Sequence, residues 1–359
     1  MAFGRVEVPV SPPYPIVVGA GLDLAKVLSG ALKPTVGAIL SDSNVGPLHA
    51  PSLKRTLEEA GWRVADVVEI PAGERSKSLA VYGEVAGRLA RSGMTRDGTL
   101  FALGGGLVGD LGGFVAATFM RGIGFVALPT SLLAMVDSSV GGKVGLDLPE
   151  GKNLVGSFLR PRIVAAELGW LETLPARELS CGFAEVIKMG LLSGGDSFAA
   201  LDRIEAARER DPEALRSLVM HSIHFKGQIV AEDELEKGRR AILNYGHTIG
   251  HGLEAAADYS LPHGEAISAG MVAAARLSHE RLGTDLLGLH EDLLRSAGLP
   301  LIVSNVAVEK VLSAMSRDKK RRAAGSDFSF VLLEDVGKPV CGVPVGEEEA
   351  LRVIGAVVG

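Results

Sequence analysis

An α/β amino-terminal domain built on a parallel sheet, followed by a mostly α-helical carboxy-terminal domain, is the fold class the sequence predicts. Three observations predict it. A chain of 359 residues exceeds one ordinary hydrophobic core. Strand-like and helix-like segments alternate through the first half, and strand signals nearly vanish after Pro175. The expected domains are therefore 1–175 and 176–359, with the active site in the cleft between them.

In order, Val36 to Leu40 is a short apolar strand, and Ser52 to Ala60 reads as a helix capped by Ser52 and stopped by Gly61. Val64 to Ile70 alternates as a second strand, and Ser78 to Arg91 forms a helix ending near Gly93. Thr99 to Leu103 is the next strand, Leu107 to Phe119 a buried Gly/Ala-rich helix, and Phe125 to Leu128 another strand. This alternation gives a Rossmann-like parallel sheet, in which ligands bind at the carboxyl ends of the strands. Beyond Pro175, helical periodicity marks Arg177 to Leu192, Pro212 to Ala231, Gly264 to Leu282 and Leu286 to Ala297, and Phe328 to Leu333 is the one late strand.

Composition narrows the function. A net charge of −6 argues against nucleic acid, which requires a basic face, but local lysines can still hold a small anion within a Debye length of about 8 Å. The amino terminus has no long apolar core behind a basic start, and the most apolar run falls short of the roughly 20 residues that span a bilayer. A cytoplasmic location is expected, with no membrane contact. Cys181 and Cys341 offer no disulfide framework and read as buried structural thiols.

Glycine gathers where ligands could approach. Gly104, Gly106 and Gly109 hold the G-x-G-x-x-G spacing between a strand and a helix, which suits a pyrophosphate at a helix N-terminus. Tight helix–strand packing selects the same glycines, and the usual acidic residue about 20 positions later is missing. Asp42, beside Asn44, could instead hold a ribose hydroxyl or merely cap a turn. Asp137, Lys143, Lys152 and Asn153 sit in glycine-rich loops, where lysine can act as a point charge for phosphate or carboxylate, and Arg121 joins them.

The stretch 243–265 holds His247, His251, His263 and Glu265 among Gly, Ala and Leu. Neutral imidazole is the commonest ligand of a divalent transition metal, and three protein ligands with one open position make a catalytic site. His247 and His251 are i, i+4 on a helix, so only one need be a ligand. Glu185 and Lys188 share a helix face in an apolar setting, and that carboxylate needs a salt bridge or a metal. Core or capping histidines are the alternative. His49, His221, His224, His279 and His290 read as surface or packing residues.

Together these motifs resemble 3-dehydroquinate synthase across nearly the whole chain. The resemblance rests on GERSK (73–77), GGGLVGD (104–110), MRG (120–122), PTSLLAMVDSSVGGKVG (129–145), GKNLVGSF (151–158), ETLP (172–175), GFAEVIK (182–188), EDELEKGRRAILNYGHTIGH (232–251), HGEAISAGM (263–271) and RDKK (317–320). It implies a Zn2+ held by Glu185, His247 and His263, with Co2+ suiting the same ligands. It implies NAD on Asp42, Asn44, Gly73, Glu74, Lys77, Gly105, Gly106, Asp110, Thr130, Ser131, Asp137, Lys143 and Lys152, so that 1–175 is the NAD-binding domain and 176–359 the metal- and substrate-binding one. Ser131 departs from the family's usual PTTLLA but keeps a hydroxyl. Substrate phosphate and carboxylate would meet Arg121, Lys152, Asn153, Lys188, Lys226, Arg240, Asn244 and His251, with Lys319 or Lys320 as late candidates. Glu265 would start its helix or stand behind the ligands.

The implied reaction converts 3-deoxy-D-arabino-heptulosonate 7-phosphate to 3-dehydroquinate and phosphate. It proceeds by transient oxidation with NAD, β-elimination of phosphate, re-reduction, ring opening and intramolecular aldol closure. A homodimer is also implied. The rival readings are a related sugar phosphate cyclase, a metal-dependent glycerol or polyol dehydrogenase, and a non-catalytic NAD sensor.

Overall fold

The computed structural model describes residues 3–321 and 327–359, with the side chains of 318–321 outside the described set. The candidate lysines Lys319 and Lys320 fall there. The chain forms two compact units, one of residues 1–175 with 226–231, the other of 176–225 with 232–359. Among the described residues, no helix is long and apolar enough to cross a membrane.

Among its described residues the first unit carries nine strands: β1 (Phe3–Val8), β2 (Tyr14–Gly19), β3 (Val36–Asp42), β4 (Arg63–Ile70), β5 (Thr99–Gly104), β6 (Gly124–Pro129), β7 (Lys143–Leu148), β8 (Gly151–Phe158) and β9 (Ile163–Glu167). Seven of them form one sheet in the order β1-β2-β9-β6-β5-β3-β4, parallel except for the antiparallel edge strand β1. β3 and β5 are buried along their whole length, as strands covered on both faces must be. Leu57, Trp62, Phe101, Leu103 and Val126 pack at the centre of one face, with Trp62 edge-on to Phe101 at 5.0 Å. The order reverses direction between β3 and β5, because β4 lies on one side of β3 and β5 on the other. Asp42 ends β3 and Gly104 ends β5, so both glycine and acid stretches singled out in the sequence lie at that reversal, where doubly wound sheets bind ligands.

Several expectations need correction. The helix expected at Ser52 to Ala60 begins at Gly46, and Ser52 lies inside it. The helix runs through Pro51, and Asp42 supplies the turn ahead of it by accepting from the backbone N–H of Asn44 (2.8 Å) and Val45 (3.1 Å). The glycine-rich loops holding Lys143, Lys152 and Asn153 are the antiparallel hairpin β7–β8, in which Gly145 pairs directly with Gly156 and the low side-chain content hides the strand signal. Asp137 lies on a π-helical turn, Ala134–Ser138. β1, β2 and β9 are short, and β2 follows the Pro12 and Pro13 stretch that masks it.

The second unit is mainly helical, with helices at Ala176–Ser193, Pro212–Glu232, His247–Ala256, His263–Leu282 and Leu287–Ser296 among others. Residues 226–231 of the second of these belong to the first unit. The late strand β10 (Phe328–Asp335) has an antiparallel partner, β11 (Lys338–Val345), that the sequence reading missed. Pro339, Gly342 and Pro344 disguise β11, and an edge strand tolerates them. Cys341 lies on this outer strand and is exposed, against the expectation of a buried thiol, whereas Cys181 is buried.

Two glycines let the second unit's helices meet backbone to backbone. A Cβ on Gly264 would lie 2.3 Å from the Cys181 main chain, and one on Gly270 would lie 2.0 Å from the Gly246 carbonyl oxygen. Helices Ala176–Ser193 and His247–Ala256 are thereby drawn against His263–Leu282. Behind them, the Tyr245 hydroxyl donates to His290 Nε2 at 2.7 Å, and His290 Nδ1 donates to the Leu286 carbonyl at 2.7 Å. Both side chains have no exposed surface.

Burial pushes the His290 pKa down to about 4, below its ordinary 6.5. The unfolded chain therefore binds the extra proton first. The stabilisation from neutral His290 is complete above pH 6.5 and is lost as the pH falls toward 4, by up to about 3 kcal/mol at about 1.4 kcal/mol per unit. Denaturant midpoints measured across this range should fall less steeply for His290→Gln, which keeps an acceptor for Tyr245, than for the unaltered chain.

Candidate functional site

In the second unit, Glu185 projects from the middle of helix Ala176–Ser193 and has no exposed surface. His247 and His263 each open a helix, and their Nε2 atoms lie 3.5 and 3.4 Å from the same oxygen, Glu185 Oε1. One donor atom from each of the three lies within 4.8 Å of the others. Ligands about 2.1 Å from a tetrahedral zinc stand about 3.4 Å apart, so the two histidine–carboxylate separations already match such a site. The His247 tautomer matches as well. His247 Nδ1 donates to the Tyr245 carbonyl at 3.0 Å, which leaves Nε2 as the lone-pair nitrogen of the neutral ring.

The electrostatics divide the three side chains. Burial tends to raise the Glu185 pKa, but Lys188 and His263 outweigh it and hold the carboxyl at about 2. Burial, with Lys188 and the neighbouring histidines, drives His247 well below its usual value and keeps it neutral. Burial would also lower His263, yet Glu185 and Glu254 raise it to about 10. The Lys188 ammonium lies 2.5 Å from Glu185 Oε2, as an ion pair with no exposed surface at the carboxylate. A carboxylate so placed is suited to a cation beyond lysine.

Around this triad, Lys188 and Arg240 are buried, Asn244 is half-buried, and His251 is exposed one helical turn after His247, its ring 5.1 Å from that of His247. Arg240 donates to the Glu234 carbonyl at 2.7 Å. Glu265, one of the four residues that marked this stretch, is held by Arg177 in two hydrogen bonds, one of 2.9 Å, and makes no part of the triad. Sequence reasoning missed Glu254, whose carboxylate lies 3.3 Å from His263 Nδ1. The signal was present, since it is the lone acid in the apolar run HTIGHGLEAA.

In the first unit, Lys77 is 4% exposed and bonds Asp110 at 2.6 Å, with Asn153 Oδ1 also on its ammonium and Asp147 at 4.0 Å. Burial works against its charge, but Asp110, Glu74 and Asp147 raise its pKa. Lys152 reaches Glu74 at 3.5 Å, just after Gly73 in its left-handed turn. Lys226 bonds both Asp137 Oδ1 (2.7 Å) and the Asp137 carbonyl (2.6 Å). Thr130 is buried, and Ser131 Oγ accepts from the Ala134 N–H. Asn44 and Lys143 are exposed, and Arg121 is exposed on a turn where Met120 and Arg121 both have positive φ.

A cavity beside the glycine loop is lined by Gly105, Gly109, Asp110, Ser138, Ser139 and Lys143, and the buried Ser139 Oγ has no hydrogen-bond partner among the described residues. The loop's glycines serve different ends. A Cβ on Gly104 would lie 2.5 Å from Val108 Cγ2, so packing alone requires that glycine. At Gly109 nothing lies within 4 Å and φ is not positive, so the protein itself makes no demand for glycine there. A ligand backing onto the helix would.

Two family descriptions match the chain: 3-dehydroquinate synthase N-terminal over residues 67–181, and 3-dehydroquinate synthase C-terminal over residues 182–321. The chain belongs to the 3-dehydroquinate synthase family. The 3-dehydroquinate synthase of Acidithiobacillus ferrooxidans is 45% identical over 335 residues, covering 91% of this chain and 90% of the relative. That of Caulobacter vibrioides is 44% identical over 341 residues, covering 90% of each. Among solved structures, 2-deoxy-scyllo-inosose synthase complexed with carbaglucose-6-phosphate, NAD+ and Co2+ superposes with a TM-score of 0.89 at 27% identity, covering 98% of this chain and 99% of that one. The 2-epi-5-epi-valiolone synthase of Streptomyces hygroscopicus, with NAD+ and Zn2+ bound, gives 0.86 at 25%, covering 96% of both. An iron-containing alcohol dehydrogenase gives 0.68 at 15% over 99% of both chains and shares the fold alone. As a 3-dehydroquinate synthase the chain is an enzyme of the lyase type.

The two loop glycines should separate cleanly on substitution. Gly104→Ala is expected to destabilise the fold by about 1–3 kcal/mol through overpacking. Gly109→Ala, inside a helix, should stabilise by about 0.5–1 kcal/mol while weakening the binding of a titrated dinucleotide. Thermal melts and equilibrium titration of both variants check it, and unchanged dinucleotide affinity in Gly109→Ala would remove the loop from the binding surface.

Proposed function

We propose that the chain converts 3-deoxy-D-arabino-heptulosonate 7-phosphate to 3-dehydroquinate and phosphate with a divalent metal on Glu185, His247 and His263 and NAD at the β3/β5 reversal. The observation that carries this reading is the convergence of three donor atoms within 4.8 Å around a carboxylate with no exposed surface. When bound, the metal, zinc or cobalt, supplies Lewis-acid polarisation of a substrate oxygen, and the nicotinamide ring a reversible hydride acceptor. The two solved cyclases with NAD+ and Co2+ or Zn2+ support the same pair of groups here.

The chain's own residues do the remaining work. Gly105, Gly106 and Gly109 bring the helix N-terminus close to a pyrophosphate, with Thr130, Ser131 and Lys143 beside it. Asp42, Asn44, Gly73, Glu74, Lys77, Asp110, Asp137 and Lys152 complete the dinucleotide surface. One Asp42 oxygen caps a turn, and that carboxylate's position still suits a ribose hydroxyl. Substrate phosphate and carboxylate fall to Arg121, Lys152, Asn153, Lys188, Lys226, Arg240 and Asn244. Lys188 enters that set already desolvated, so an anion meets its charge with little intervening water. His251, the most exposed of the three histidines, orients the leaving phosphate or carries its proton. The enzyme acts in the cytoplasm, as a homodimer.

Incubation of metal-replete protein with NAD+ and the heptulosonate phosphate should release phosphate and 3-dehydroquinate in equal amounts with no net NADH. Net NADH from glycerol instead would mark a polyol dehydrogenase. Glu185→Gln should lose metal and activity together, each by two orders of magnitude or more, and tight metal in that variant would remove Glu185 from the ligand set.

A further inference from the structure

We propose that Glu254 is a positioning residue that fixes the ring and tautomer of His263 for metal binding, an inference that rests on the metal site proposed above. Glu254 lies on the inner face of helix His247–Ala256 among Ile249, Gly250, Gly252 and Leu253, and it is 6% exposed. A carboxylate in that setting costs stability that a leucine would not, so the fold alone gives no reason for it. What it touches gives the reason. Oε2 lies 3.3 Å from His263 Nδ1, on the edge of the imidazole opposite Nε2, which faces Glu185 Oε1 at 3.4 Å.

A carboxylate can only accept, so the neutral ring keeps its proton on Nδ1 and presents its single lone pair from Nε2. A ring flip would turn Nε2 toward Glu254 and Nδ1 toward Glu185, and would place the proton where the lone pair is needed. The His247 ring is fixed in the same sense by a backbone carbonyl, which no substitution of a side chain removes. Glu254 is thus the side-chain half of a matched pair of orienting contacts.

The same carboxylate also lies 4.0 Å from His251 Nε2, and His251, Glu254 and His263 form a second group whose donor atoms fall within 4.8 Å. That group would use His263 through Nδ1, whereas the first uses Nε2. A neutral imidazole has one lone pair, so the two groups cannot both be filled, and one ion per chain is expected.

The test compares the wild-type chain with Glu254→Gln and Glu254→Ala, each stripped by chelator and titrated with Co2+ while the visible absorption of the bound ion is recorded. Competition with a chromogenic chelator gives the affinity. Loss of an outer hydrogen-bond partner should weaken binding by about 10–100-fold in Glu254→Ala and shift its cobalt bands. Glu254→Gln should lose less, because its amide oxygen still accepts from Nδ1. Melting of the metal-free proteins serves as control, and a purely structural role would lower it without altering the cobalt spectrum of the folded protein. Should Glu254→Ala fail to fold, the affinity and spectrum of Glu254→Gln decide the matter. Wild-type affinity and spectrum in the folded variants would overturn the assignment. So would two ions per wild-type chain with the second lost in Glu254→Ala, which would make Glu254 a ligand. Tight one-to-one binding that survives Glu185→Gln would instead overturn the ligand set itself, and the role of Glu254 with it.

Discussion

A carboxylate without exposed surface is the constraint on which the second unit depends. Glu185 sits in the middle of an 18-residue helix whose neighbouring positions are nearly all apolar. Water cannot stabilise it there, so its charge must be met by groups the fold brings to it. Lys188 comes from the next turn of the same helix, and the two histidines come from the starts of two others. Those starts reach Glu185 only because Gly264 and Gly270 allow main chain to meet main chain. A methyl group at either position would push the histidines outward and leave the carboxylate short of partners. Packing and electrostatics are one requirement at this point in the molecule.

The first unit solves a different problem, that of holding many charges close together. Lys77 is buried but surrounded by Asp110, Asp147 and the Asn153 amide, and the β7–β8 hairpin supplies two of these partners. Asn153 adopts a positive φ, and its N–H is held by Asp147 at 2.7 Å. That strained residue therefore rests on a short chain of contacts that begins at a buried ammonium. The glycine loop meets the same network through Asp110, one residue beyond Gly109. A ligand settling on the loop would meet a polar surface already ordered, which lowers the entropy cost of binding.

Long elements with regular patterns were legible in the sequence. β3 to β6 and the principal helices appear close to their expected places, because burial on both faces imposes an apolar run and burial on one face a period. The failures share a cause. β7, β8 and β11 are rich in glycine or proline, so their strand character comes from a partner strand and not from their own residues. The helix through Pro51 failed for the opposite reason, since a local breaker was overruled by the turn that Asp42 organises upstream. At the site, Glu185, His247 and His263 could be suspected from residue type and setting, but a choice between His247 and His251 could not be made from i, i+4 spacing. It needs the ring directions, which place Nε2 of His247 on Glu185 and leave His251 exposed.

Fold cannot decide the reaction, because an alcohol dehydrogenase with 15% identity shares the architecture. The distinction must lie in what surrounds the donor set. Moving a hydride from an alcohol asks for a polarised oxygen and a nicotinamide, whereas expelling phosphate asks in addition for cations that gain more from the leaving group than from the bound substrate. Lys188 is suited to that demand in a way a surface lysine is not. Its charge is already removed from water, and Glu185, with which it pairs, is the carboxylate that a metal would share. Were that carboxylate shared with a metal, the ammonium would lose part of its counter-charge and would attract a developing anion more strongly. The i, i+3 placement of Glu185 and Lys188 would then tie a metal held by the carboxylate to an anion met by the ammonium on one turn of helix.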